Sequence, residues 1–426
     1  MAVSVKIASF MERRARSRFA TTPGTRDVLP PESTHLVGLE GRVRGRFAAW
    51  GFREVITPAL EYSEVIEEPR LRDASFKLFD ADNQMLLLRP EMTSPIARLV
   101  AQRLRNSPPP HRLSYVLPVY RRTGVGRGQS AEFHQAGVEV VGSSSAAEDA
   151  GAIALLADVL SSVGLRREGE FAIVVGQSSF YAGWLRRAAP EAASEILSAL
   201  ADKDLARVDA LAASLPDEAA AGAREIPRLV GPASDGELLQ RAQKYALGEA
   251  EGALENLREI LAHLEVHGCL DSVILDLGLI GRFGYYTGVV YEAYSPRLGF
   301  SVASGGRYDE LLSRFGAPMP ATGFAISLER LLSILPERDP DPLVVLVGSS
   351  TGATAAACTL RARGVAVLQL ADEDPPEKAA RYARAVEASW LAYPAGERVK
   401  LAPVSERGVG GFEELSPEEA AGRVSP

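Results

Sequence analysis

Residues 111–142 read HRLSYVLPVYRRTGVGRGQSAEFHQAGVEVVG. Valine, leucine and tyrosine dominate from His111 to Tyr120 and apolar residues return from Phe133 to Val141, which predicts two strands. The stretch between them, TGVGRGQSAE (123–132), is polar and rich in glycine and predicts a loop. Two strands flanking such a loop form a hairpin arm able to close over a ligand. Gln135 and Glu139 lie four residues apart on the second strand, so alternation projects both to one face. Such a pair can converge on a ligand, pair with arginines inside the sheet, or lie on a solvated face.

Upstream of the hairpin, folded sequence is expected to begin near TPGTRDVLPPE (22–32). Leu36, Leu39, Val43 and Phe47 then recur at helical spacing, and the helix closes at Trp50-Gly51. FREVITPALEY (52–62) predicts one strand, whose Pro58 suits a sheet edge or an interface. LFDADNQMLLLRPE (78–91) predicts two strands around an Asp-Asn turn, and SPIARLVAQRLR (94–105) a helix.

Downstream, composition turns to Ala, Leu, Glu and Arg over about 186–265, with helical patterns in 191–215 and 255–266. This predicts a helical insertion. Strands return at SVILDLGL (272–279), YYTGVVYEAY (285–294) and FSVASGG (300–306), and LERLLSIL (328–335) closes the unit as a helix. ERDPDP (337–342) is a linker rich in proline and acid. Beyond it strand and helix alternate through PLVVLVGSS, ACTLRARG, VAVLQL, EKAARYARAVEA and SWLAYP, which predicts a small α/β domain over 341–426.

The totals narrow the function. A length of 426 residues suits two or three folding units. A formal net charge of −8 opposes broad nucleic-acid binding, although it leaves room for a local basic groove. Cys269 and Cys358 are too few for a disulfide framework or a metal site, which fits a reducing cytosol and a cytoplasmic protein. No apolar run approaches the ~18–20 residues that span a bilayer, so no membrane role is expected. In residues 1–20 an apolar run precedes the arginines, the reverse of a secretory signal. A flexible extension is expected there, with an Arg-rich transit peptide or a start at Met11 as the other readings.

Four stretches bring polar groups onto strands or strand ends. RPEMTSP (89–95) supplies Arg89, Glu91 and Thr93, with alternation placing Glu91 and Thr93 on a common face. The hairpin supplies Arg121, Gln135 and Glu139. GLIGRFGYYTGVVYE (278–292) supplies Tyr285 and Tyr286, adjacent on a predicted strand, so that one faces a pocket and the other packs inward. SGGRYDELL (304–312) supplies Arg307, Tyr308 and Asp309. No H-x-E or H-E-x-x-H spacing supports a zinc role for His134, His263 or His267. There is no P-loop and no G-x-G-x-x-G turn.

In order along the chain, TPGTRDVLP, FREVITPALE, RPEMTSPIARL, YRR…EFHQAGVEVVG, YYTGVVYE, SGGRYDELL and ATGFAISLERLL resemble histidyl-tRNA synthetase. The resemblance covers about 21–335 and implies an α+β class II aminoacyl-tRNA synthetase-like fold: an antiparallel sheet with helices, a helical insertion and a dimer-interface proline. Residues 341–426 resemble a degenerate anticodon-binding domain. By this resemblance Glu91, Thr93 and Gln135 would take the α-ammonium end of histidine. Glu139 and Tyr286 would meet its imidazole, with Tyr285 and Tyr308 nearby, and Arg121 and Arg330 would keep residual nucleotide contact.

The departures from the synthetase pattern concern catalysis. The family's R-x-E is Arg121-Arg122-Thr123 here, so the adenine-reading carboxylate is gone. Two further loop arginines fall on Gln129 and Ala131. The family's R-G-L-D-Y-Y puts its activating arginine on Gly281 and its aspartate on Gly284. Arg282 is one residue away, but a one-residue slip on a strand reverses the face. Losing one preorganised cation at a developing anion costs about 10²–10³-fold in rate. A histidine pocket without the activating groups resembles the synthetase-like regulatory subunits of ATP phosphoribosyltransferase. That implies no catalytic residue, cofactor or metal of its own, a short-form catalytic subunit as partner, histidine as feedback effector, and a dimer within a hetero-oligomer. No tRNA is expected, since 341–426 carry 9 Lys or Arg against 12 Asp or Glu. A divergent active synthetase and a free-standing histidine sensor are the competing readings.

Overall fold

The computed structural model describes residues 20–122, 130–281, 284–336, 342–371 and 375–424. Most of the expected N-terminal extension, loop residues 123–129, Arg282 and most of the 337–342 linker lie outside them. The chain divides into two compact units, Met1–Pro336 and Glu337–Pro426.

The first unit begins with helix α1 (Glu32–Ala49), on which Leu36, Leu39, Val43 and Phe47 are all buried. It stops at Trp50 because Gly51 turns with φ +80°, a left-handed conformation that favours glycine. The single strand expected over 52–62 is instead two: β1 (Arg53–Glu54) and β2 (Leu60–Tyr62). Pro58 has no N–H to give a ladder, and at this break the chain passes from one sheet to another.

After helix α2 (Pro69–Asp73), strands β3 (Lys77–Phe79) and β4 (Met85–Leu88) pair antiparallel, completing a three-stranded sheet in the order β2-β4-β3. Their turn is closed by Asp80, whose Oδ1 accepts from the backbone of Asp82 and Gln84. Helix α3 (Thr93–Leu99) then runs into a π-helical turn, Val100–Leu104.

The main sheet has nine strands in the order β1-β5-β6-β12-β11-β10-β7-β9-β8. Its members are β5 (His111–Tyr120), β6 (Glu132–Val141), β7 (Ala172–Gln177), β8 (Val230–Pro232), β9 (Val273–Asp276), β10 (Val289–Tyr294), β11 (Ala303–Arg307) and β12 (Ala321–Ser327). Neighbours are antiparallel apart from β1–β5 and β7–β9. One face packs on α1 and on α4 (Ala146–Ser162), in a core that includes Phe47, Val138, Ile153, Tyr291 and Phe324. The Phe47 and Phe324 rings meet edge-on at 6.0 Å. The other face carries the site.

Between β7 and β9 run α5 (Ser178–Ala188), α6 (Ala193–Ala201), α7 (Leu205–Ala212), α8 (Asp217–Glu225), α9 (Gly236–Gln243) and α10 (Glu249–Val266). The expectation of helix alone in this stretch misses β8, which adds to the sheet edge by pairing Val230 with Asp276. Helix α11 (Leu328–Ile334) follows β12 directly.

In the second unit β14 (Ala366–Leu370), β13 (Leu343–Val347) and β15 (Trp390–Ala395) are parallel, with α12 (Thr351–Ala362) and α13 (Pro376–Ala385) as crossovers. Antiparallel β16 (Arg398–Ser405) extends the sheet, and α14 (Pro417–Val424) covers it.

Candidate functional site

Strand register builds the site. Gln135, Gly137 and Glu139 share one face of β6, and β12 sets Ser327, Ala325 and Gly323 directly opposite them. Gly323 pairs with Gly306 of β11, and Ala325 with Ser304. Gly306 in turn faces Val290 of β10, and Ser304 faces Glu292. The middle of this face is therefore glycine, alanine and serine, flanked by longer side chains on β6 and β10. The result is a cavity of about 160 Å³.

All eight residues expected at a histidine site line this cavity: Glu91, Thr93, Arg121, Gln135, Glu139, Tyr285, Tyr286 and Tyr308, and Arg330 lines it too. Two pairs of them are presented differently from expectation. Glu91 and Thr93 are not alternate residues of a strand. Pro90 ends the extended chain, and Thr93 opens α3. Glu91 lies before the helix start and its carboxylate accepts from Ser94 N at 3.0 Å and from Thr93 N, satisfying helix-end donors. Tyr285 and Tyr286 lie in a turn before β10, not on it, so both reach the cavity. Their ring centroids are 4.9 Å apart, and Tyr285 meets Tyr308 edge-on at 5.7 Å.

The polar groups are tightly held. Glu139 is 1% exposed. Its Oε1 accepts from Thr93 Oγ1 at 2.9 Å and its Oε2 from the Tyr308 hydroxyl. Burial pushes its carboxyl up to about 8, against the two hydroxyl donors, with the charge of Glu91 adding to the rise. Burial also raises Glu91, opposed by Ser94, Thr93 and the charge of Arg121. Arg121 is lowered by burial, donates Nε to Pro90 O at 2.7 Å, and lies 5.3 Å from the Phe133 ring centre. Arg330 donates to Ser301 O at 2.8 Å. The Gln135 Oε1 is buried with no donor among the described residues. Such an acceptor costs about 1–3 kcal/mol, a penalty that a ligand N–H removes. Carboxylates, an amide acceptor and phenols suit an ammonium and a ring N–H; the arginines suit an anion.

Other residues of the candidate stretches are structural. Arg89 donates to the backbone of Thr57 and Pro118. Arg307 is buried against Asp149 of α4 at 2.9 Å. Asp309 holds Arg307 at 3.1 Å and accepts from Thr287 Oγ1 at 3.1 Å. His134 meets Glu329 at 3.0 Å, and that hydrogen bond raises its pKa. Ala131, where the resemblance puts a loop arginine, is buried and donates its N–H to Gly24 O at 2.6 Å.

Sequence reasoning missed Glu292 and the small-residue floor. Two signals carried them: Glu292 alternates with Val290 in VVYEAY, and ATGFAIS alternates small residues with Phe324 and Ile326.

A class II sheet with an amino-acid-sized cavity of this composition is histidyl-tRNA synthetase-like, and a sequence model of the histidyl-tRNA synthetase family matches residues 24–331. A solved histidyl-tRNA synthetase from Nostoc shares the fold, with a TM-score of 0.80 at 21% identity over 96% of this chain and 100% of that one. A Bacillus halodurans structure described as an ATP phosphoribosyltransferase regulatory subunit/histidyl-tRNA synthetase has a TM-score of 0.79 at 30% identity, covering 89% of this chain and 99% of its own. The ATP phosphoribosyltransferase regulatory subunit of Rubrobacter xylanophilus is 64% identical over 97% of this chain and the whole of its own length. The chain belongs to the family of ATP phosphoribosyltransferase regulatory subunits.

Proposed function

We propose that this chain is a non-catalytic regulatory subunit of ATP phosphoribosyltransferase that binds histidine in the sheet cavity. It works with a short-form catalytic subunit in the first step of histidine biosynthesis, and bound histidine lowers the activity of the pair. One observation carries the reading. The cavity gathers Glu91, Thr93, Gln135, Glu139 and three tyrosines, while the positions that the resemblance gives to the activating charges are Gly281 and Gly284. Glu91, Thr93 and Gln135 take the α-ammonium end, and Glu139 and Tyr286 the imidazole.

A second copy of the chain covers the outer face of the three-stranded sheet. Leu60, Tyr62 and Leu78 are 45%, 52% and 40% exposed there, and the register places them on one face. An apolar face of that kind invites burial. Among the described residues no helix is long and apolar enough to cross a membrane, and a cytoplasmic location without tRNA as partner fits this reading.

Arg121 and Arg330 both line the cavity, which favours a second reading as a divergent synthetase retaining nucleotide contact. Histidine-dependent ATP–pyrophosphate exchange separates the two. Histidine binding by calorimetry without exchange, together with histidine-sensitive stimulation of the short catalytic subunit, supports the regulatory reading. Exchange at a synthetase-like rate overturns it. In the complex, Glu139→Ala is expected to abolish inhibition by histidine while sparing assembly.

A further inference from the structure

The cavity has a third carboxylate whose partner comes from outside the sheet. The Glu292 side chain is 8% exposed and lines the cavity from β10. Lys203 Nζ lies 3.4 Å from Glu292 Oε2 and 3.0 Å from the hydroxyl of Tyr294, which donates to the same carboxylate oxygen. Lys203 belongs to the turn between α6 and α7 of the insertion. Its backbone is left-handed at φ +58°, uncommon for a side-chain-bearing residue.

The same turn holds a second tie. Asp202 lies 3.5 Å from Arg70 of α2. Glu68, at the start of that helix, accepts from Gly284 N at 3.4 Å, one residue before Tyr285. Adjacent residues of opposite charge thus fasten the turn both to the strand that walls the cavity and to the segment that contacts the tyrosine loop. A carboxylate shared between a cavity and an outside lysine has two claimants once a cation enters. Binding of either then weakens the hold of the other, and the coupling is reciprocal.

We propose that the ligand's ammonium, held by Glu91, Thr93 and Gln135, also draws on the charge of Glu292 across the cavity in competition with Lys203, so that filling the cavity loosens the 200–205 turn and registers occupancy on the insertion. This rests on the histidine reading above and adds the route by which occupancy leaves the site.

The test uses the full chain and histidine as probe. Affinity is measured by calorimetry, and the 200–205 amides are followed by hydrogen exchange, in wild type, Lys203→Met, Glu292→Gln and the double variant. Melting curves establish that each variant is folded. Because Lys203 is half exposed, Lys203→Met is expected to tighten histidine by only about two- to fivefold. In wild type, histidine is expected to speed exchange in the turn, and in Lys203→Met the turn is fast with or without it. Glu292→Gln is expected to weaken histidine and to make Lys203→Met silent in its background. Equal affinity in wild type and Lys203→Met, with unchanged exchange on binding, overturns the proposal while leaving the histidine reading intact. Absence of histidine binding to wild type overturns the histidine reading and this route with it.

Discussion

The ring of Tyr286 fills the space into which a side chain at position 281 would have to grow. A Cβ on Gly281 would lie 2.1 Å from Tyr286 Cδ2, and one on Gly306 would come within 2.8 Å of the opposite ring edge. Tyr286 is thus seated between two glycines, and the position that the resemblance gives to an activating arginine is sterically taken.

Gly281→Arg should therefore fail to create histidine-dependent ATP–pyrophosphate exchange. It should displace Tyr286, weaken histidine binding and lower stability by about 1–3 kcal/mol, as overpacking does. Exchange assays and a melting curve on the same preparation check this. Exchange clearly above the wild-type level would show that Tyr286 yields.

Glu139 should make both stability and binding depend on pH. With its carboxyl pushed up to about 8 by burial, the folded chain keeps a proton there that the unfolded chain has released. The stability this contributes is complete below pH ~4.5 and is lost as pH rises through about 8. A ligand ring N–H bonds the ionised carboxylate more strongly than the neutral acid, so histidine binding near neutral pH favours release of the proton, and affinity gains up to ~tenfold per pH unit toward 8. Glu139→Gln should flatten both profiles. Calorimetry in buffers of different ionisation enthalpy counts the proton, and an equal count in Glu139→Gln would refute the assignment.

Asp149→Ala should cost about 3 kcal/mol by leaving Arg307 buried beside a vacated partner. Asp309, also within 3.1 Å of Arg307, limits the loss. Denaturant titration reads it directly, and a change below ~1 kcal/mol would mean that Asp309 and the Ser143 carbonyl, which accepts from Arg307 at 3.0 Å, suffice.

On the proposed pairing of two copies through the three-stranded sheet, Leu78→Glu should convert the dimer to monomers with little effect on the melting of the single subunit, because Leu78 is 40% exposed in the single chain. Sedimentation velocity distinguishes the two states. An unchanged sedimentation coefficient would refute pairing through this face.

Much of this was readable in advance wherever a local rule governs. The spacing of Leu36, Leu39, Val43 and Phe47 specifies α1 because each apolar side chain has only one face on which to be buried. The Gln135–Glu139 pair was legible because alternation on a long paired strand is rigid. Glu91 and Thr93 escaped that rule, since the chain changes from extended to helical between them. The tyrosines escaped it because a turn frees adjacent side chains from opposite faces. Lys203 could not be read at all: its partner Glu292 is 89 residues away, and no spacing signals such a contact. The break at Pro58 was half legible, the proline marking a weak point without saying that two sheets meet there.

The floor of the cavity is where this fold is least forgiving. A methyl group on Gly323 would sit 2.1 Å from Glu139 Oε2 and 2.2 Å from the Val138 carbonyl, and one on Gly306 would sit 2.6 Å from the Val289 carbonyl. Each position meets a main-chain carbonyl, which cannot change rotamer to make room, together with a cavity side chain, Glu139 at Gly323 and Tyr286 at Gly306. The floor of the pocket is therefore fixed by backbone as well as by side chains, and it has no graded route to a smaller version of itself. A lineage that drifts at Gly323 loses the vessel in one step, whereas drift among the walls retunes what it holds.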